Sequence, residues 1–132
     1  MPVLSYIKLV REGEVFWIQD SAGNALFERR PESNMLGGMV GLPSTNWDDK
    51  TNPLGVRDDL QALLDMSALL SKRNRGVVRH SFTHFHLKLN VNYYVLDQDN
   101  PVPDPFFWIS KESLNNLALP TLFKKVVKMM TL

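Results

Sequence analysis

The sequence predicts an α+β domain built on one strongly twisted, mixed β-sheet with at least two helices. Three patterns carry that expectation. Phe85, Leu87, Leu89, Val91, Tyr93 and Val95 alternate with His86, Lys88, Asn90, Asn92 and Tyr94. A period of two over that length is a half-buried strand with one apolar and one polar face. Leu60, Leu63, Leu64 and Ala68 recur at helical spacing behind Asp58 and Asp59, acids suited to a helix N-terminus. Leu122, Phe123, Val126, Val127 and Met130 form an apolar stripe after Pro120, with Lys124, Lys125 and Lys128 away from it. That is an amphipathic helix beginning at a proline.

Taken in order, Glu14–Gln19 and Ala25–Arg29 are short strands, and Asp20-Ser21-Ala22-Gly23-Asn24 between them has hairpin-turn composition. Arg30–Thr51 reads as a loop punctuated by Pro31, Gly37, Gly38, Gly41 and Pro43, with a brief strand within Met39–Leu42. A helix is expected over Asp58–Leu70. Val77–Ser81 is a candidate partner for the strand Phe85–Val95. Phe106–Ile109 is another strand, after the proline-rich Pro101–Pro105. No internal repeat or low-complexity tract interrupts this order.

The 132 residues suit a single domain, 1–132. With 44% hydrophobic and 22% charged residues, the balance is that of a soluble globular protein. No apolar stretch approaches the roughly 20 residues that cross a bilayer. Met1–Tyr6 lacks the pattern of a signal peptide. A cytoplasmic monomer with no membrane partner is the expectation. Cysteine is absent, which excludes disulfides, thiolate zinc sites, iron–sulfur clusters and cysteine nucleophiles within this chain.

The net charge of +1 is no polycation, so any affinity for nucleic acid must come from local distribution. Lys72 to Leu96 contains no acid but holds Lys72, Arg73, Arg75, Arg79 and Lys88, with His80, His84 and His86 among them. Such an excess is what a phosphate backbone responds to, although a solvated face has the same composition. The three histidines share strand parity and would face one way on an unbroken strand. No acid lies within ten residues of them, and Arg79 and Lys88 disfavour a cation, so no metal site is expected.

Phe82-Thr83-His84 falls between the two best strand candidates. It offers a ring that can wedge or stack, a hydroxyl that both donates and accepts, and an imidazole that can meet a phosphate or base edge. The competing reading makes Phe82 a core residue and Thr83 an ordinary β-former. Enzyme chemistry is sparse: there is no nucleophile elbow, P-loop or dinucleotide fingerprint. The acid pairs Asp48-Asp49 and Asp58-Asp59 are expected to cap or solvate helix starts.

Three segments together resemble one family. Phe27–Ser44, FERRPESNMLGGMVGLPS, is similar to its basic strand, Arg-Pro and Gly-Gly turn. Val78–Leu89, VRHSFTHFHLKL, is similar to its sensing loop and following strand, and Trp108–Val127 to its closing Trp, Leu-Pro-Thr and lysine-bearing helix. The family is the C-terminal domain of the adenine DNA glycosylase MutY, which removes adenine mispaired with 8-oxoguanine. The resemblance implies a Nudix-like fold related to MutT, the hydrolase of oxidised nucleoside triphosphates.

It also implies that Phe82, Thr83 and His84 stand where the family carries Phe-Ser-His, reading the oxidised base, with Arg79, Lys88 and also Arg73 and Arg75 on phosphates. The implied partners are duplex DNA containing 8-oxoguanine opposite adenine and an N-terminal catalytic domain of the same protein. That domain would hold the glycosidic chemistry and the iron–sulfur cluster. A cysteine-free chain is then expected to be a fragment with no catalytic site, metal or cofactor of its own. Two alternatives are a Nudix hydrolase and a protein-interaction module using the loop Asp97–Pro105. A working Nudix box needs a run of glutamates to bind metal. Here no glutamate occurs between Glu32 and Glu112, and Pro43 obstructs a helix after Gly38.

Overall fold

The computed structural model describes residues 8–96 and 101–131, and within them not the side chains of 69–74. The Met1–Tyr6 reading and the stretch Asp97–Asn100 of the candidate interaction loop lie outside the described residues. The elements are β1 (Leu9–Gln19), β2 (Ala25–Arg29), β3 (Val40–Gly41), α1 (Asp58–Met66), β4 (Ala68–Ser81), β5 (Phe85–Val95), β6 (Phe106–Ile109), a 3-10 segment (Lys111–Asn116) and α2 (Thr121–Thr131). The strands form one sheet in the order β3-β2-β1-β5-β4, with β6 pairing on β2.

Parallel pairing of β1 with β5, from Leu9↔Phe85 to Gln19↔Val95, is the spine of the sheet. β4 returns antiparallel along β5. The β1–β2 turn is held by Asp20, whose Oδ1 accepts from the N–H groups of Ala22 and Asn24 at 2.9 Å. A carboxylate can bond its own backbone two residues on, which is why such turns favour Asp.

Each face of the spine is covered by one helix. Val15, Trp17, Leu87, Leu89 and Val91 share a face and pack against Leu122, Phe123, Val126 and Val127 of α2. On the opposite face Phe16 and Ile18 meet Leu60 and Leu63 of α1, with Leu26 and Phe106. The expected α2 stripe is therefore the buried one, and Lys124, Lys125 and Lys128 are exposed. The polar face of β5 is less open than its alternation implies. Asn92 is buried and donates to Glu14 Oε1 at 3.0 Å.

Pairing overrides local pattern at three places. β1 begins at Leu9 instead of Glu14, because the parallel ladder with β5 carries Arg11 and Glu12 into the sheet. The helix expected to reach Leu70 stops at Met66. Ser67 turns extended, its hydroxyl donating to the Leu63 carbonyl at 2.7 Å, and Ala68 and Leu69 pair with Val95 and Tyr94. The partner strand is thus Ala68–Ser81, far longer than Val77–Ser81, and irregular in register around Asn74 and Gly76.

The segment Arg30–Thr51 is anchored along β1. The Phe16 N–H donates to the Pro43 carbonyl and the Thr45 N–H to the Glu14 carbonyl, both at 2.8 Å. Asp58 and Asp59 occupy the first turn of α1, as expected. Asp48 and Asp49 cap no helix. Asp48 accepts from the Met35 N–H at 3.0 Å, and Asp49 accepts from the N–H and hydroxyl of Thr51. Short carboxylates serve irregular backbone as readily as helix ends.

Glu28 of β2 is buried and accepts from both terminal nitrogens of Arg57, just before α1. Burial pushes the Glu28 carboxyl above its ordinary 4.5, and Arg57 opposes that rise. Arg57→Met leaves the carboxylate buried without its cation and should destabilise the fold by about 3 kcal/mol at neutral pH. The folded pKa then rises further, so between 4.5 and that value the folded state binds more protons than the unfolded one. The penalty relative to the parent should shrink as pH falls to about 5, which urea unfolding at the two pH values would measure. A pH-independent penalty would remove Glu28 as its cause.

Candidate nucleic-acid interface

The hairpin between β4 and β5 projects the predicted reading residues from the end of the sheet. Phe82 donates its N–H to the Phe85 carbonyl at 2.8 Å, leaving Thr83 and His84 as the two turn residues between that pair. Both are exposed, whereas Phe82 is half-buried. The Phe82 ring lies flat on Trp47, with centroids 5.5 Å apart and planes 16° apart. It also contacts Phe85 at 5.0 Å and His80, edge-on, at 4.9 Å. Core anchoring and tip presentation are therefore divided between neighbours: Phe82 is the anchor and Thr83 is the exposed turn residue.

Trp47 is fully buried although it comes from the loop-like segment. Its Nε1–H donates to Ser44 Oγ at 3.1 Å. Gly13 of β1 makes room for it, since a Cβ there would stand 3.0 Å from the Trp47 Cβ. The guanidinium carbon of Arg30 sits 4.9 Å from the Trp47 ring centre and 5.8 Å from that of Phe123.

Arg30 is itself only 4% exposed. Its Nε–H donates to the Met35 carbonyl at 2.8 Å, and its Nη2 lies 3.9 Å from Asp48 Oδ2. Burial pushes the guanidinium below its ordinary value, and Asp48 and Glu28 oppose that. Its main chain closes the Gly-Gly turn: the Arg30 N–H donates to Met39 and the Gly38 N–H to Arg30. Gly38 sits at φ +75°, and a Cβ on Gly37 would fall 2.4 Å from the Glu32 carbonyl oxygen. This turn needs both glycines.

The cations divide by surroundings. Arg79 is exposed beside the tip, directly opposite Lys88 in the β4–β5 ladder. Lys88 Nζ lies 3.5 Å from Glu12, so a phosphate would compete with that carboxylate. Lys8 Nζ donates to the Phe82 carbonyl at 3.0 Å. Lys125 reaches from α2 to the Arg79 carbonyl at 2.8 Å and to His80 Nδ1 at 3.1 Å, making it a brace for the β4 edge. Arg75 lies over the Tyr93 ring, roughly 25 Å along the strand from Thr83. The side chain of Arg73 is among those not described.

The histidines do not share a face. The turn interrupts their parity: His80 stands opposite Leu87 on the α2 side, whereas His86 pairs with Ser81 on the other. Burial and Lys125 push the His80 imidazole below its ordinary 6.5, which keeps Nδ1 free to accept from Lys125. His86 Nδ1 is 2.6 Å from Ser81 Oγ. Among the described residues no three His, Asp or Glu side chains gather as a metal site. No described helix is long and apolar enough to cross a membrane.

Sequence reasoning missed Arg30, Trp47 and Lys125. A tryptophan inside a Gly- and Pro-rich loop was the one available signal, because so large a side chain is seldom left in water. Arg30 and Lys125 look no different from the bases beside them.

The chain is 28% identical to the human adenine DNA glycosylase over 108 residues, 78% of this chain and 20% of that protein. It thus spans about a fifth of the length of that relative. The structure is similar to the C-terminal domain of mouse MUTYH, solved in complex with human PCNA, at 24% identity and TM-score 0.60, covering 91% of this chain and 86% of that one. It is also similar to a MutT protein from Methanosarcina mazei Go1 at 19% identity and TM-score 0.65, covering 92% of each. At those identities the structural likeness establishes the fold, a mixed sheet between helices as in Nudix proteins. The NUDIX domain profile matches residues 14–129, nearly the whole chain, and the protein belongs to the NUDIX domain family.

Proposed function

We propose that this chain is the lesion-reading domain of an adenine DNA glycosylase and recognises 8-oxoguanine opposite the adenine to be excised. One observation carries the reading: Thr83 is exposed at the tip of a hairpin whose adjacent Phe82 is stacked on buried Trp47. The chemical need is specific. Guanine N7 is an acceptor, whereas in 8-oxoguanine it carries a hydrogen. A hydroxyl that accepts from that N–H and donates to O6 satisfies the oxidised base. On guanine the first of those bonds is lost, a difference of about 1–3 kcal/mol.

In this reading Phe82 and His84 set the loop. Arg79 and Lys88 meet phosphates, which fix register without reading sequence. The likeness to adenine DNA glycosylases over a fifth of their length supports assigning bond cleavage to the rest of such a protein. In the same reading this domain is a recognition module without a catalytic centre of its own. Asp48 and Asp49 bear against the competing nucleotide-hydrolase reading, because their carboxylates are committed to Arg30, Met35 and Thr51. Turnover of oxidised guanosine triphosphate with magnesium would support that alternative instead.

Thr83→Ala should lower the preference for an 8-oxoguanine·adenine duplex over its undamaged counterpart by about 5- to 150-fold, the equivalent of 1–3 kcal/mol. Affinity for the undamaged duplex should hold, and Thr83→Ser should keep the preference. Fluorescence anisotropy with both duplexes reads this directly, and an equal fall on both would show that the hydroxyl is not the reader. Phe82→Leu keeps apolar volume but removes the flat contact with Trp47, worth about 1 kcal/mol. Exchange of the Phe82-position amide, which donates to the Phe85 carbonyl at the base of the tip, should accelerate, with the sheet centre at Leu89 and Val91 unchanged. Unchanged exchange at the tip would mean that Phe82 is not its anchor.

A further inference from the structure

On the face of β4 and β5 that carries His86, a groove of about 600 Å³ is lined by Val10, Arg79, Ser81, His86 and Lys88, among others, with Lys125 reaching it at the sheet edge. The ladder builds it. Ser81 stands opposite His86 and Arg79 opposite Lys88, so four polar side chains at alternate positions share one face. Val10, paired with His86 from β1, is 65% exposed and supplies an apolar wall. We infer that this groove is a socket for one sugar–phosphate unit of the DNA strand, with Arg79, Ser81 and His86 as its phosphate donors.

The Ser81–His86 contact of 2.6 Å makes the chemistry directional. If the hydroxyl donates to Nδ1, the neutral ring carries its hydrogen on Nε2 and presents a donor away from Ser81. If Nδ1–H donates instead, the hydroxyl hydrogen is the free donor. Either tautomer leaves one N–H or O–H donor available beside the Arg79 guanidinium, an arrangement that suits an anionic oxygen. Among the charged groups around the groove, Arg79 is exposed, while Lys88 is shared with Glu12 and Lys125 is held by Arg79 and His80. Arg79 is therefore the principal cation of the socket. The exposed Val10 side chain and the aliphatic stems of Arg79 and Lys88 suit the apolar side of a deoxyribose.

This socket rests on the reading of the chain as a DNA-binding domain, but it is blind to the lesion, and that separates the two tests. Arg79→Ala and His86→Ala should each weaken binding about tenfold, the worth of one charge-assisted hydrogen bond. The loss should be equal for the 8-oxoguanine and undamaged duplexes, with the preference between them intact. Arg79→Ala should also reduce the salt slope by about one, and Ser81→Ala should not. In NMR titration of the parent chain, the His86 ring and the Val10 and Ser81 amides should shift with either duplex. Unchanged affinity in the His86→Ala and Arg79→Ala variants, or absence of those shifts at saturating DNA, overturns the socket. So does a loss confined to the damaged duplex. A Thr83→Ala variant with normal lesion preference would overturn the reading role of Thr83 and leave the socket standing.

Discussion

The contact on which the β4–β5 hairpin tip depends is the stack of Phe82 on Trp47, held from within by the buried guanidinium of Arg30. A two-residue turn has little internal means of fixing its direction, and exposed hairpins are only marginally stable by themselves. Here the residue before the turn is tied into the core. A ring against a ring limits tilt as well as position, so the exposed residue Thr83 is carried on a fixed base. Arg30 supplies the constraint one layer deeper. Its side chain bonds the Met35 carbonyl and faces Asp48, while its main chain closes the Gly-Gly turn. A buried charge is costly unless paired and hydrogen-bonded, and these partners order a segment that would otherwise lack regular structure.

The same economy of parts appears at the sheet edge. An edge strand presents unpaired backbone groups. At Arg79 that exposure is relieved by Lys125, which crosses from α2 to the carbonyl. Because Lys125 also reaches His80, and His80 touches Phe82, the last helix is linked to the tip through two short contacts. The helix that buries one face of the sheet thus also steadies the strand that leads into the tip.

β4 and β5 sort chemistry by residue parity. Residues facing α2 build the core and the aromatic anchor. Those on the other face, Arg79, Ser81, His86 and Lys88, line an open groove. Thr83 and His84, at the turn, belong to neither face. One hairpin can therefore present an exposed turn and a polar face without either compromising packing.

Much of the fold was legible. The bounds of β5 and the buried stripe of α2 follow from alternation and helical spacing, because burial on one face leaves a period in the sequence. The tip was legible too, since Phe82-Thr83-His84 falls between two strongly patterned strands. The extent of β4 was not legible. Ala68 continues a helical stripe, and only pairing with Val95 makes it a strand. The common facing that parity would give the three histidines on an unbroken strand does not arise, because a turn between His80 and His86 changes which face each one meets. By itself the sequence determined the alternating strands, the amphipathic helix and the composition of the tip, all of which are local patterns. Tertiary structure alone decided that Arg30 is buried while Arg29 is exposed, that Trp47 lies beneath Phe82, and that Lys125 braces an edge. Such contacts join residues far apart in the chain, and identical side chains become core or surface according to what packs against them.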